Sequence, residues 1–238
     1  GAVYRARDTR LDRDVAVKVI PAAMSSDPER VARFEREAKT LAGLQHPNIA
    51  AIYGFEEFDG GRFLVMEMVE GADLSEHLKN GPVPEHEAVE IIRNVAAGLS
   101  AAHRNGIVHR DLKPENIILS EVDGQIVPKV LDFGLATGSE DEALTRAGEG
   151  LGTPEYMAPE QIARRALDGR SDIFSLGVLL WECVTGRRLF KRDSEYETLR
   201  AVMEEAAPPV RDFAPTVPKE LEDLIQVERR PLPSPESG

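Results

Sequence analysis

His109-Arg110-Asp111-Leu112-Lys113-Pro114-Glu115-Asn116 places an acid, a base and an amide within eight residues. The stretch lies between a segment of helical periodicity and a short β-branched run, so it reads as a loop joining a helix to a strand. Asp132-Phe133-Gly134 follows sixteen residues beyond Asn116, past a hairpin centred on Asp123-Gly124. That dipeptide tolerates the positive φ angles of a tight turn, and the returning chain lets strands ending near Asn116 and Asp132 converge. A lone His-Arg-Asp reads as a surface charge cluster and a lone Asp-Phe-Gly as an ordinary turn. At this spacing the two define a site.

Upstream, residues 85–104 form an amphipathic helix stopped at Asn105-Gly106. Ile49–Phe55 and Arg62–Met68 read as a strand pair joined through Asp59-Gly60-Gly61, and Arg13–Ile20 as a β-branched strand. Between them Ser26-Asp27-Pro28-Glu29 offers a capping box with proline in the first turn. It opens a helix whose apolar residues Val31, Phe34, Ala38, Leu41 and Leu44 recur at helical spacing. Downstream, Ile117–Leu119 and Ile126–Leu131 are short strands, and beyond residue 154 the pattern is helical. Ser171–Thr185 is apolar on nearly every face, as befits a helix inside a core; Trp181 and Cys183 belong to that core. A strand-rich front and a helix-rich back predict an α+β fold of two lobes, 1–69 and 70–226, with the boundary near Val69-Glu70-Gly71. The last twelve residues, Val227–Gly238, hold three prolines and read as linker or disordered tail.

At 238 residues the chain can bury one substantial core, or two lobes sharing a cleft. A net charge of −13 without a basic stripe argues against nucleic acid as a partner. One cysteine, Cys183, excludes an internal disulfide and a zinc cluster and suits a reducing compartment. The longest apolar run, Ile173–Val184, is interrupted by Glu182 and falls short of the ~20 residues a membrane span needs.

Strand alternation sets Lys18 on the same face as Ala16 and Ile20, where an unpaired ammonium would be costly. With Phe34 at zero on the helix that follows, Leu41 falls at about −20°, Glu37 at about −60° and Leu44 at about −80°. Glu37 thus lies within the apolar stripe and calls for a cation. A Lys18–Glu37 ion pair answers both requirements. Asn116 and Asp132 supply hard oxygen ligands, suited to magnesium that bridges phosphates rather than to a protein-only cage.

His109–Asn116, Asp132-Phe133-Gly134 and Ala158-Pro159-Glu160 together resemble the catalytic loop, metal motif and activation-segment end of a eukaryotic-like (Hanks-type) serine/threonine protein kinase domain. The resemblance spans about residues 1–226. It implies a two-lobed kinase fold, ATP and Mg2+ as cofactors, and a protein Ser or Thr hydroxyl as acceptor. It assigns Asp111 as the group that takes or orients the hydroxyl proton and Lys113 as a neutraliser of charge on the transferring phosphoryl. The Lys18–Glu37 pair would bring lysine onto the α- and β-phosphates. Thr153, in Gly152-Thr153-Pro154-Glu155-Tyr156-Met157, would bond Asp111 and Lys113. Asn116 and Asp132 would bind the metal, Met66 would be the gatekeeper, and the backbone of Glu67 through Val69 would pair with adenine. Val3, Ala16 and Ile118 would sandwich the base, and Asp73 would contact ribose. Asp172 would hold the catalytic-loop backbone, although its place near a helix start suits an N-cap nearly as well. Arg110 would receive a phosphate on the activation segment, with Thr145 the candidate acceptor.

Gly1-Ala2-Val3-Tyr4 matches only the end of the family's glycine-rich loop, and Val227–Gly238 does not resemble the family's closing helices. The first strand and last helices are therefore expected to be missing, Glu160 to lack its usual arginine partner, and activity to be weak or absent. Alanine-rich composition and short loops suit bacterial members of the group, whose kinase domains are cytosolic and often tethered to a membrane by other segments. The alternatives are a pseudokinase-like nucleotide-binding scaffold, which intact Lys18, Glu37, Asp111, Asn116 and Asp132 disfavour and the missing edges favour, and a small-molecule phosphotransferase of related fold. Thr153 and Ala158-Pro159-Glu160, elements that position peptide substrates, point away from the latter.

Overall fold

The structure, a computed structural model, describes residues 2–20, 28–133 and 153–225, without the side chains of residues 28–31 and 33. Gly1, the Ser26-Asp27 cap, the side chain of Val31, Gly134, Thr145, Gly152 and the tail beyond residue 225 lie outside the described residues.

The front half is a four-stranded antiparallel sheet in the order β1-β2-β4-β3, from β1 (Val3–Asp8), β2 (Arg13–Ile20), β3 (Ile52–Phe58) and β4 (Gly61–Glu67). Asp59 and Gly60, at φ 49° and 72°, make the β3–β4 hairpin turn, and two successive positive φ angles match the right-handed twist of the flanking strands. Helix α1 (Pro28–Ala42) lays buried Phe34, Ala38 and Leu41 on the sheet, Phe34 meeting Phe55 of β3 at 5.4 Å between ring centroids.

The strand expected over Ile49–Phe55 begins only at Ile52. The preceding residues pair instead with β7 (Gln125–Val130): Val130 N–H donates to the Asn48 carbonyl at 2.9 Å, Ala50 N–H to the Val130 carbonyl at 3.0 Å, and Asn48 Nδ2 to the Pro128 carbonyl at 2.9 Å. Backbone groups committed to β7 cannot also serve the front sheet.

A second sheet, β5-β6-β7, joins β5 (Ala72–Asp73) and β6 (Ile117–Val122) to β7. The two-residue β5 carried no sequence signal. Gly71 precedes it at φ 141°, where a Cβ would lie 2.2 Å from the Leu119 carbonyl oxygen; only glycine lets the chain pass so close to β6.

The helical half comprises α2 (Leu74–Leu78), α3 (Glu85–Arg104), α4 (Pro159–Ile162), α5 (Gly169–Thr185), α6 (Glu195–Glu204) and α7 (Lys219–Ile225). Helix α3 buries Ile91, Val95, Leu99 and Ala102 along one stripe and packs on α5 and β7. Twelve of the seventeen residues of α5 are buried, Trp181 and Cys183 among them, so α5 is the core helix its composition predicted. Burial pushes the Cys183 thiol up to about 12, which keeps it protonated and inert.

Candidate active site

The loop between α3 and β6 carries His109 through Asn116. Asp111 accepts from Lys113 Nζ at 2.9 Å and from Asn116 Nδ2 at 3.2 Å, and Asn116 Nδ2 also donates to the Asp111 carbonyl at 2.7 Å. The Asn116 carbonyl accepts from Leu131 N–H at 2.8 Å, which ties the loop to the residue before Asp132. The hairpin at Asp123-Gly124, φ 52° and 76°, produces this convergence.

His109 is fully buried, and burial holds its imidazole below the usual histidine range despite the nearby Asp172 carboxylate. Its Nδ1 accepts from Asp111 N–H at 3.2 Å, so Nε2 carries the proton and donates to the Leu131 carbonyl at 2.8 Å. The ring also packs 4.8 Å from Phe133. His109 is thus a neutral strut between the two motifs and no acid–base group, a role its place in the sequence could not reveal.

Asp172 decides between its two readings. One carboxylate oxygen accepts from His109 N–H at 2.8 Å and from His103 Nε2 at 2.7 Å, the other from Arg110 N–H at 2.9 Å. The N-cap of α5 is Asp168, which accepts from Arg170 N–H at 2.8 Å. His103, whose ring would meet a Cβ on Gly169 at 2.6 Å, gave no sequence signal. Its role exists only because α3 and α5 pack side by side.

The Lys18–Glu37 pair expected from the sequence is not made. Lys18 Nζ meets Asp132 Oδ1 at 2.8 Å, while Glu37 lies 3.8 Å from Arg110 Nη1. The reasoning that each group needs a counter-charge holds, but two further charges were available in the folded chain. Arg110, in the left-handed region at φ 66°, takes Glu37, and Asp132 takes Lys18. A gap between α1 and the Asp132 motif, lined by Leu41, Ile49, Leu64, Met66, Val130 and Phe133, adjoins this arrangement.

The Thr153 hydroxyl likewise makes no hydrogen bond to Asp111 or Lys113 among the described residues; its carbonyl accepts from Tyr156 N–H. Lys113 and Asn116 already serve the Asp111 carboxylate. Glu160 does find a partner in Ser171, whose hydroxyl donates at 2.7 Å.

In the cleft, Ala16 and Met66 lie opposite each other on β2 and β4, both buried. Val3 is 54 % exposed on edge strand β1, and Ile118 is half-buried on β6. The Glu67 side chain braces the lobe connection, accepting from Lys129 Nζ at 2.7 Å and Ala51 N–H at 3.1 Å. The Val69 N–H and carbonyl form no backbone hydrogen bond among the described residues. One Asp73 oxygen caps α2, accepting from the Ser75 hydroxyl at 2.5 Å and from Glu76 N–H at 2.9 Å. Among the described residues no group of three or more His, Cys, Asp or Glu is placed to hold a metal ion. The amide of Asn116 and the carboxylate of Asp132 are oxygen donors of the hard type that magnesium takes.

Residues 1–230 match the sequence model of the protein kinase domain family. The chain belongs to that family. The kinase domain is 40 % identical over 224 residues to serine/threonine-protein kinase PknL of Mycobacterium bovis, covering 94 % of this chain and 55 % of PknL. It is 45 % identical over 222 residues to serine/threonine-protein kinase pkn3 of Myxococcus xanthus, covering 89 % and 40 %. With PrkC of Bacillus subtilis the identity is 38 % over 224 residues, covering 94 % and 34 %. The chain thus spans about half, or less, of the length of these relatives. Among solved structures, the PknI kinase domain of Mycobacterium tuberculosis matches at TM-score 0.72 and 28 % identity, over 94 % of this chain and 81 % of that one. The two-lobed α+β architecture is that of the kinase family.

Proposed function

We propose that this kinase domain transfers the γ-phosphoryl group of ATP to Ser or Thr hydroxyls of a protein substrate. The carrying observation is the Asp111 carboxylate, held by Lys113 and Asn116 yet still 41 % exposed at its side chain. A base fixed on one side and open on the other can receive a proton from an incoming hydroxyl. The substrate oxygen forms its bond to the γ-phosphorus as the bond to the bridging oxygen of ADP breaks, and the hydroxyl proton passes to Asp111. Lys113 offsets charge on the moving phosphoryl. The Val69 backbone pairs with adenine, Ala16, Met66, Val3 and Ile118 enclose it, and Asp73 takes a ribose hydroxyl. Asn116 and Asp132 would hold Mg2+, which supplies charge neutralisation on the phosphates when bound.

Lys18 and Glu37 are each held by an ion pair, to Asp132 and to Arg110. An exchange of partners between these two pairs would set Lys18 against Glu37 and turn its ammonium toward phosphate. The relatives named serine/threonine-protein kinases support the acceptor class. We infer a cytoplasmic setting, where ATP is available; no helix among the described residues is long and apolar enough to cross a membrane.

Asp111→Asn tests this reading. It should lower kcat by about 10²–10⁴-fold, the span of a positioned general base, with KM for Mg-ATP unchanged. Turnover equal to the wild type would overturn the assignment. A second reading, a nucleotide-binding scaffold, is favoured by the unmade Lys18–Glu37 pair. A magnesium-dependent thermal shift with ATP but no phosphate transfer would select it.

A further inference from the structure

Gln161, on α4, spends both ends of its amide. Its Oε1 accepts from Ala158 N–H at 2.9 Å and caps the helix, while its Nε2 donates to the Arg110 carbonyl at 2.7 Å. That carbonyl belongs to the peptide unit leading into Asp111, whose N–H donates to His109 Nδ1 at 3.2 Å. The plane before Asp111 is thus fixed at its carbonyl by Gln161 and at its N–H by His109. On the other side of Arg110, its own N–H is held by Asp172. Arg110 needs such restraint, because a left-handed φ of 66° is unfavourable for a residue with a long side chain.

A cap alone would not ask for glutamine. Glutamate serves the same capping position equally well, and only the acceptor oxygen is used there. The donor is required by the catalytic loop. We propose that Gln161 is a positioning residue, which sets the orientation of Asp111 through the Arg110–Asp111 peptide and couples the Thr153–Glu160 segment to the catalytic loop. The proposal rests on Asp111 being the base assigned above.

Gln161→Glu is the discriminating variant: it keeps length, helix propensity and the cap, but turns an acceptor toward the Arg110 carbonyl. Gln161→Ala removes both bonds. In the full-length protein, turnover and amide hydrogen exchange over residues 107–112 should be measured together. Gln161→Glu should lower kcat about tenfold or more, the scale of a small misplacement of a catalytic group, with KM for Mg-ATP within about twofold. Exchange at Arg110 and Asp111 should rise about tenfold, while that of α5 stays unchanged. Wild-type exchange at these amides, or a loss confined to KM for Mg-ATP, would overturn the proposal. A wild-type protein without any turnover would defeat the kinase reading, and exchange would still decide whether Gln161 holds the loop.

Discussion

Asp132 shows how one carboxylate serves two arrangements. It pairs with Lys18 at 2.8 Å, and it follows Leu131, whose N–H bonds the Asn116 carbonyl, as a proposed cation ligand. Asp132→Asn keeps the shape and removes the charge both roles use. It should abolish the magnesium-dependent part of an ATP-induced thermal shift, leaving the shift without magnesium; differential scanning fluorimetry with and without the cation checks this. Residue types announced the chemistry here because hard oxygens and a buried ammonium have few uses. They did not announce the pairing. Lys18, Glu37, Arg110 and Asp132 are two cations and two anions, and only their positions in space choose between the two ways of matching them.

At the scale of elements, α3 was legible to the residue, since an amphipathic stripe ends at Asn105-Gly106 and Gly106 adopts φ 73°. The charges inside α5 were not. Glu182 is 1 % exposed and accepts from Tyr156 Oη at 2.7 Å, Leu189 N–H at 3.0 Å and Arg188 Nη1 at 3.2 Å. Burial pushes its carboxyl up to about 8, against the Leu189 N–H, which favours the ionised form. An acid raised on folding adds stability that is complete below its unfolded value, near 4.5, and lost as pH rises to 8. Thermal unfolding should thus show the wild type losing ground to Glu182→Gln between pH 5 and 8. The slope is at most about 1.4 kcal/mol per pH unit, and parallel pH profiles would contradict it.

Over the whole molecule, the two lobes are joined by more than the Glu67–Gly71 connection. Asn48 and Ala50 add a rung to β7, and Glu67 reaches Lys129 on the same strand. This second tie ends one residue before Leu131, so the strand leading to Asp132 is anchored in both lobes. Asn48→Ala leaves the buried Pro128 carbonyl without its donor and should cost about 1–3 kcal/mol of unfolding free energy, measurable by urea titration. Local patterns missed this tie and placed Ile49 in the front sheet, because a lone parallel bridge has no periodicity to detect. Most elements, the family and the chemical character of the site are legible in the residues, since these depend on residue type and on spacing along one element; β5 and the Ile49 bridge are not. Which charges pair, which aspartate caps and which holds the catalytic loop, and what His103 and Gln161 touch depend on how the elements pack together. Those contacts join residues as far apart in the chain as Lys18 and Asp132, and no local propensity specifies them.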